Sequence, residues 1–149
     1  MDIWVIVGIL AGLVAVATII GLVSRARTGR VQEVTGLRRV APVELDTDDD
    51  FGSRATFVQF SSEMCSRCPG TRALLQRVAA TKSGVRHIDV DITHRPDIAR
   101  SFNILQTPTT LVLDDSGAIA ARIGGAPRPE AVTAALDIAL RRDHGHYVI

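Results

Sequence analysis

Residues Ile3 to Val23 form an unbroken run of 21 residues without a charged side chain. At ~1.5 Å rise per residue, a helix of that length covers ~30 Å, the thickness of a bilayer's hydrocarbon core. Trp4 lies near one end, where an aromatic ring favours the membrane–water interface. A cleaved signal peptide is the competing reading. It fits less well, because Asp2 replaces the usual basic n-region, the apolar run is longer than an ordinary h-region, and no clear A-x-A site precedes the arginines. Residues 1–24 are therefore expected to be a single retained transmembrane helix.

Arg25, Arg27, Arg30, Arg38 and Arg39 lie close to the C-terminal end of the run, whereas the other flank offers only Met1 and Asp2. The positive-inside rule then places the C-terminal part of the chain in the cytoplasm, with the extracytoplasmic side as the alternative. Gly8 and Gly12 form a small-xxx-small pair inside the run, a spacing that permits a weak helix–helix dimer.

Residues 25–50 read as a charged linker with little core of its own. Val31, Val34, Leu37 and Val40 recur at intervals of three, which suits a short helix or an extended segment lying on a domain. Glu44, Asp46, Asp48, Asp49 and Asp50 then form an acidic run, read as a solvated connector.

Residues 51–143 carry the pattern of one folded domain, with a tail over 144–149. Ala55 to Ser61 reads as a buried strand, and Thr71 to Thr81 as a helix with Leu74, Leu75 and Val78 on one face. Val85 to Ile92 alternates as a second strand, and Pro96 to Phe102 suits a short helix with proline in its first turn. Thr109 to Leu113 and Ala118 to Ile123, joined by Asp114-Asp115-Ser116-Gly117, read as an antiparallel hairpin. Glu130 to Arg142 is an amphipathic helix. The order β-α-β-α-β-β-α implies two parallel crossovers, a hairpin and a covering helix, an α/β class with a mixed central sheet flanked by helices. In a chain of 149 residues with a net charge of +1, nothing favours a nucleic-acid partner.

The two cysteines of the chain, Cys65 and Cys68, stand between the first strand and the first helix of that domain. Disulfide exchange needs one thiol that ionises readily and a second within reach to resolve the mixed disulfide. At a helix start, unpaired N–H groups and the helix dipole favour a thiolate, and Arg67 adds a positive charge nearby. The second thiol lies one turn on, close enough to close the ring. Cys65 is assigned as nucleophile, Cys68 as the resolving thiol and Arg67 as a group that tunes the thiol pKa. Pro69 is tolerated because the first helical turn has no intrahelical partner for an N–H there. Two inert buried cysteines and a two-thiolate copper(I) site are the competing readings. Ser66, Arg67, Pro69 and Gly70 flank the pair, which speaks against the first, and two thiolates alone do not make a four-ligand zinc site. No cofactor and no metal is expected.

Forty residues after Cys68, Pro108 precedes the third strand in Gln106-Thr107-Pro108-Thr109. A proline there, often cis, fixes a turn whose backbone can face the thiols. His87 on the second strand reads as a satisfied or surface histidine. Asp89 and Asp91 read as an exposed or strand-end pair, and His144 and His146 as tail residues.

The strand Thr56–Phe60, the Cys65/Cys68 pair, Val90-Asp91, Phe102-Asn103-Ile104 leading to Thr107-Pro108-Thr109, and Gly124 resemble the thioredoxin family in order and spacing. The resemblance covers roughly residues 52–142. It implies a thioredoxin-like fold, a cis Pro108 packed against the dithiol, and a substrate peptide that pairs with the backbone before it and touches Thr107. Four residues depart from the family pattern. Ser66-Arg67 replaces Gly-Pro, Met64 stands where a tryptophan is usual, and Gln59 replaces a buried acid that helps move protons to and from the second thiol. The reading is a specialised membrane-tethered thiol–disulfide oxidoreductase, acting on protein thiols or disulfides and served by a redox partner. A non-catalytic binding module on the same fold is the alternative.

Overall fold

The computed structural model describes residues 2–36 and 38–143; Leu37, and the 144–149 tail with His144 and His146, lie outside the described residues. The apolar run becomes α1 (Ile3–Arg27), in which no residue is buried. It is long and apolar enough to cross a membrane, with a mean hydropathy of 2.8 over its most apolar stretch. Gly8 and Gly12 have open space around them.

The remaining elements are β1 (Val31–Glu33), β2 (Ala55–Ser61), α2 (Cys68–Ala80), β3 (Val85–Asp91), α3 (Pro96–Ser101), β4 (Thr109–Asp114), β5 (Ile119–Gly124) and α4 (Pro129–Asp143). One five-stranded sheet runs in the order β1-β5-β4-β2-β3. Two parts of the sequence-based expectation change here. The stretch expected as a linker supplies an edge strand, with Val31 paired to Ile123 and Glu33 to Ala121 in antiparallel register. It also buries Val40 and Leu45, the latter at the end of a 3₁₀ turn (Pro42–Leu45) closed by Ala41 N–H donating to Glu44 Oε1 at 2.8 Å. Three residues are too few for a strand period to register, and β1's partner lies about 90 residues further along the chain.

The second change concerns the crossovers. β2 and β3 are parallel, as expected, but β4 runs antiparallel to β2, with Phe60 opposite Thr109 and Ala55 opposite Asp114. The reason is length. The six residues of α3 rise ~9 Å, whereas a seven-residue strand spans ~23 Å, so α3 by itself does not return the chain to the start of the sheet, and the residues after it do not make up the difference. The chain instead stays at the end where β3 finished, and β4 begins there.

Both faces of the sheet are covered. Phe57, Val112 and Ile123 pack beneath α2 and α4 against Leu75, Val132 and Leu136. Val58, Phe60, Ile88, Leu111 and Leu113 pack on the other face with Ile98, Phe102 and Leu45. Phe60 and Phe102 meet at 5.4 Å between ring centroids, and the Arg38 guanidinium caps Phe102 at 4.6 Å.

Leu45 is 2% exposed and Val43, in the same turn, 82%. Leu45→Ala is therefore expected to destabilise the full chain by about 2–5 kcal/mol, as loss of a buried leucine does. Val43→Ala should change stability by less than about 0.5 kcal/mol. Urea unfolding in a mild detergent measures both.

Candidate redox site

The site forms where three strand ends meet. β2 ends at Ser61, β4 begins at Thr109 opposite Phe60, and β5 ends at Gly124 opposite Thr109. From Ser61 the chain turns through Cys65, whose N–H donates to Ser62 O at 3.1 Å, and Cys68 N–H in turn donates to Cys65 O at 3.3 Å. Cys68 is the first residue of α2 and Pro69 the second, so the missing proline N–H falls where no helical bond is lost. Cys65 lies in the turn just ahead of the helix rather than within it.

The two cysteines are joined as a disulfide with their Cα atoms 5.5 Å apart. Their surroundings differ. Cys68 is 3% exposed beneath α2, whereas Cys65 is only half-buried. Cys65 lines an open cleft with Ser62, Met64, Ser66, Arg67 and Thr107, and Met64 is 92% exposed at its rim. The Thr107–Pro108 peptide is cis. Thr107 Oγ1 lies 3.1 Å from Ser62 Oγ, Pro108 is buried, and the Pro108 carbonyl accepts from Gly125 N–H at 2.8 Å. The structure thus brings together all five residues singled out in the sequence: Cys65, Cys68, Arg67, Thr107 and Pro108. Arg67 is exposed at the cleft.

Behind the disulfide lies a polar cluster that the sequence reading did not assemble. Alternate residues of β2 and β3 face α2, and at the cysteine end these are Gln59, His87 and Asp89 instead of apolar side chains. Gln59 is fully buried. Its Nε2 donates to the Cys68 carbonyl at 3.0 Å, and its Oε1 pairs with His87 Nε2 at 3.0 Å. The amide therefore spans from the first turn of α2 to β3, satisfying two groups at once. Asp89 is ion-paired with Arg72 of α2. Asp91, the other acid of that strand, turns outward and accepts from Thr93 N–H and Oγ1 instead. The signal for the cluster was present: Gln59 and His87 sit two residues out of register on paired strands, each at a position the strand period assigns to a helix-covered face.

The family model for thioredoxin matches residues 45–137. The chain belongs to the thioredoxin family. Over 103 residues it is 34% identical to a thioredoxin of Mycolicibacterium smegmatis, covering 63% of this chain and 91% of that one. It is 28% identical over 95 residues to thioredoxin C-2 of Corynebacterium nephridii, covering 59% and 88%. Among solved structures, oxidised mitochondrial thioredoxin 3 from Saccharomyces cerevisiae superposes with a TM-score of 0.50 at 22% identity, covering 57% of this chain and 78% of that one. Reduced Schistosoma mansoni thioredoxin gives 0.50 at 18% identity, covering 59% and 81%. At those identities the structures speak to the fold. The matched region takes in β2 to β5, α2, α3 and the first part of α4, and α1 and the edge strand β1 precede it.

Burial holds the His87 imidazole below its ordinary 6.5; Asp89 opposes that shift and Arg72 reinforces it. A histidine with a lowered folded-state value binds fewer protons folded than unfolded. It therefore costs stability as pH falls through 6.5 toward its folded value, and costs nothing well above 6.5. His87→Gln should flatten this part of the stability profile below pH 6.5, measured by urea unfolding at a series of pH values. An unchanged slope would mean that the ring titrates freely.

Proposed function

We propose that this chain is a membrane-tethered thiol–disulfide oxidoreductase working through Cys65 and Cys68. The observation that carries the reading is the asymmetry of the pair: one sulfur at the mouth of an open cleft, the other enclosed and bonded to it. An incoming thiolate has access to Cys65 and not to Cys68, which is what an attacking and a resolving thiol require.

In the reduced state the Cys65 thiolate attacks a substrate disulfide. A mixed disulfide forms, and one substrate sulfur leaves and takes up a proton. The Cys68 thiolate then attacks Cys65 Sγ, and the second substrate sulfur leaves as a thiol. Two electrons have passed to the substrate, and the chain holds the Cys65–Cys68 disulfide. The reverse sequence, begun by a substrate thiolate attacking Cys65 Sγ, oxidises a substrate dithiol and returns both cysteines to thiols.

Arg67, exposed beside the cleft, favours the thiolate by its charge, and the Thr107–Pro108 backbone gives a bound peptide an edge to lie against. Gln59 has no titratable proton to pass on. It instead orients Cys68 through the helix backbone, which makes proton transfer to the second thiol depend on other groups. α1 supplies the tether, and Arg25 and Arg27 in its last turn support a cytoplasmic position for the domain.

In the fully reduced full chain, Cys65 should react with iodoacetamide at least tenfold faster than Cys68, read by mass spectrometry of the two labelled peptides. Cys68→Ser should accumulate a mixed disulfide through Cys65 when given a disulfide-bonded peptide, and Cys65→Ser should abolish exchange. Equal, slow labelling of both thiols would contradict the proposal.

A further inference from the structure

The sheet register fixes which end of the domain the anchor enters. β1 begins beside the end of β5, with Val31 opposite Ile123, and β5 ends beside the start of β4, with Gly124 opposite Thr109. Thr109 in turn lies opposite Phe60, at the end of β2 that runs on to Cys65. Anchor and disulfide therefore share one end of the sheet. The turn between β4 and β5, around Ser116, and the start of β2 at Ala55 lie at the other end.

The junction is held closely. Gly29 N–H donates to Gly124 O at 2.7 Å, and the next residue, Gly125, donates to Pro108 O at 2.8 Å. Gly29 and Gly125 have φ of +76° and +83°, and a Cβ on either would come within 2.6 Å of Ala126 O or 2.5 Å of Thr28 Cγ2. Both positions thus call for glycine. Three residues separate the last helical residue of α1, Arg27, from Val31 in the sheet. A cleft of about 550 Å³ has Arg27 and Arg30 on one side and Leu105, Gln106 and Arg122 on the other, so the segment leading into Thr107 faces the end of the anchor. No residue of α1 is buried, so the helix projects away from the domain instead of folding back along it.

Four strands lie between anchor and disulfide counting both ends, and with neighbours ~4.8 Å apart the lateral offset from β1 to β2 is ~14 Å. The opposite end of a seven-residue strand is ~23 Å away along the sheet. The anchor end also exposes Met64 (92%) and Leu105 (86%), with Arg27, Arg30 and Arg67 exposed and in no ion pair among the described residues. Apolar side chains among free arginines suit a headgroup layer, where phosphates meet the charges and the apolar groups dip inward.

We infer that the Cys65–Cys68 cleft opens toward the bilayer surface, and that its substrates are disulfides or dithiols of membrane proteins at headgroup level. This rests on the reading of α1 as a membrane anchor and of the cysteine pair as an exchange centre. The chemistry is the same two-electron exchange, with the substrate's own sulfur pair as the other couple.

The test uses the full chain in vesicles of phosphatidylcholine with one-fifth phosphatidylserine. One sample is Cys68→Ser labelled at Cys65 with a thiol fluorophore. The other carries Ser116→Cys, labelled in a Cys65→Ser, Cys68→Ser background. Lipids with a nitroxide on the headgroup should quench the Cys65 label at least twofold more than the Ser116 label. Unmodified chain should exchange at least tenfold faster with a disulfide peptide tethered to a lipid headgroup than with the same peptide free in solution, each rate normalised to its own concentration in the accessible volume. A ten-residue Gly/Ser insertion between Arg27 and Thr28 should reduce that preference. Equal quenching, or equal rates with the two peptides, overturns the orientation alone. No exchange with either peptide overturns the oxidoreductase reading beneath it, and failure to float with vesicles overturns the anchor.

Discussion

The antiparallel pairing of β2 with β4 is the constraint on which the rest of this structure depends. It puts the end of β2 beside the start of β4, so that the segment carrying Cys65 and the segment carrying Thr107 and Pro108 arrive at the same place from opposite directions. Had β4 been parallel to β2, Pro108 would stand a strand's length away from the cysteines. The short α3 goes with this direction, since a helix of six residues does not itself carry the chain back along the sheet. The same register, continued through β5 to β1, brings the C-terminal end of α1 to that end as well. One sheet topology thus decides both what lines the cleft and where the cleft lies relative to α1.

Within that frame, burial differentiates two chemically identical side chains. Cys68 is the first residue of a helix packed on the sheet, and its carbonyl is held by the fully buried Gln59 amide. A buried amide that spans two polar groups is costly to disturb, since its removal leaves both unpaired at roughly 1–3 kcal/mol each. Gln59 therefore has a structural role at a position where the family commonly places an acid. His87 completes the link on the neighbouring strand, held below its ordinary pKa by burial. The site accordingly joins a solvent-facing sulfur to an enclosed polar cluster with no ionised carboxylate at position 59.

Much of this was legible in the sequence because local patterns there are long. The 21-residue uncharged run, the buried-strand run over Ala55–Ser61, the alternation over Val85–Ile92, and the spacing from Cys68 to Pro108 each rest on several residues agreeing. The rest was not legible because it depends on contacts between distant segments. β1 has three residues and a partner near the far end of the chain, so no window of sequence reports it. The direction of β4 is set by its antiparallel pairing with β2, a three-dimensional relation that the order of elements does not contain. His87 alone looks like any strand histidine; only the β2–β3 register sets it against Gln59.

The central claim is that Cys65 and Cys68 form a reversible two-electron couple with each other, in preference to any outside thiol. A redox titration of the full chain against glutathione, quenched with acid and read by mass after alkylation, tests it directly. The expected result is one transition from two alkylated thiols to none, fitted by two electrons and shifting tenfold in ratio for about 30 mV. Accumulation of a glutathione adduct on Cys65 with Cys68 still free, or two thiols that stay reduced at every poise, would contradict it.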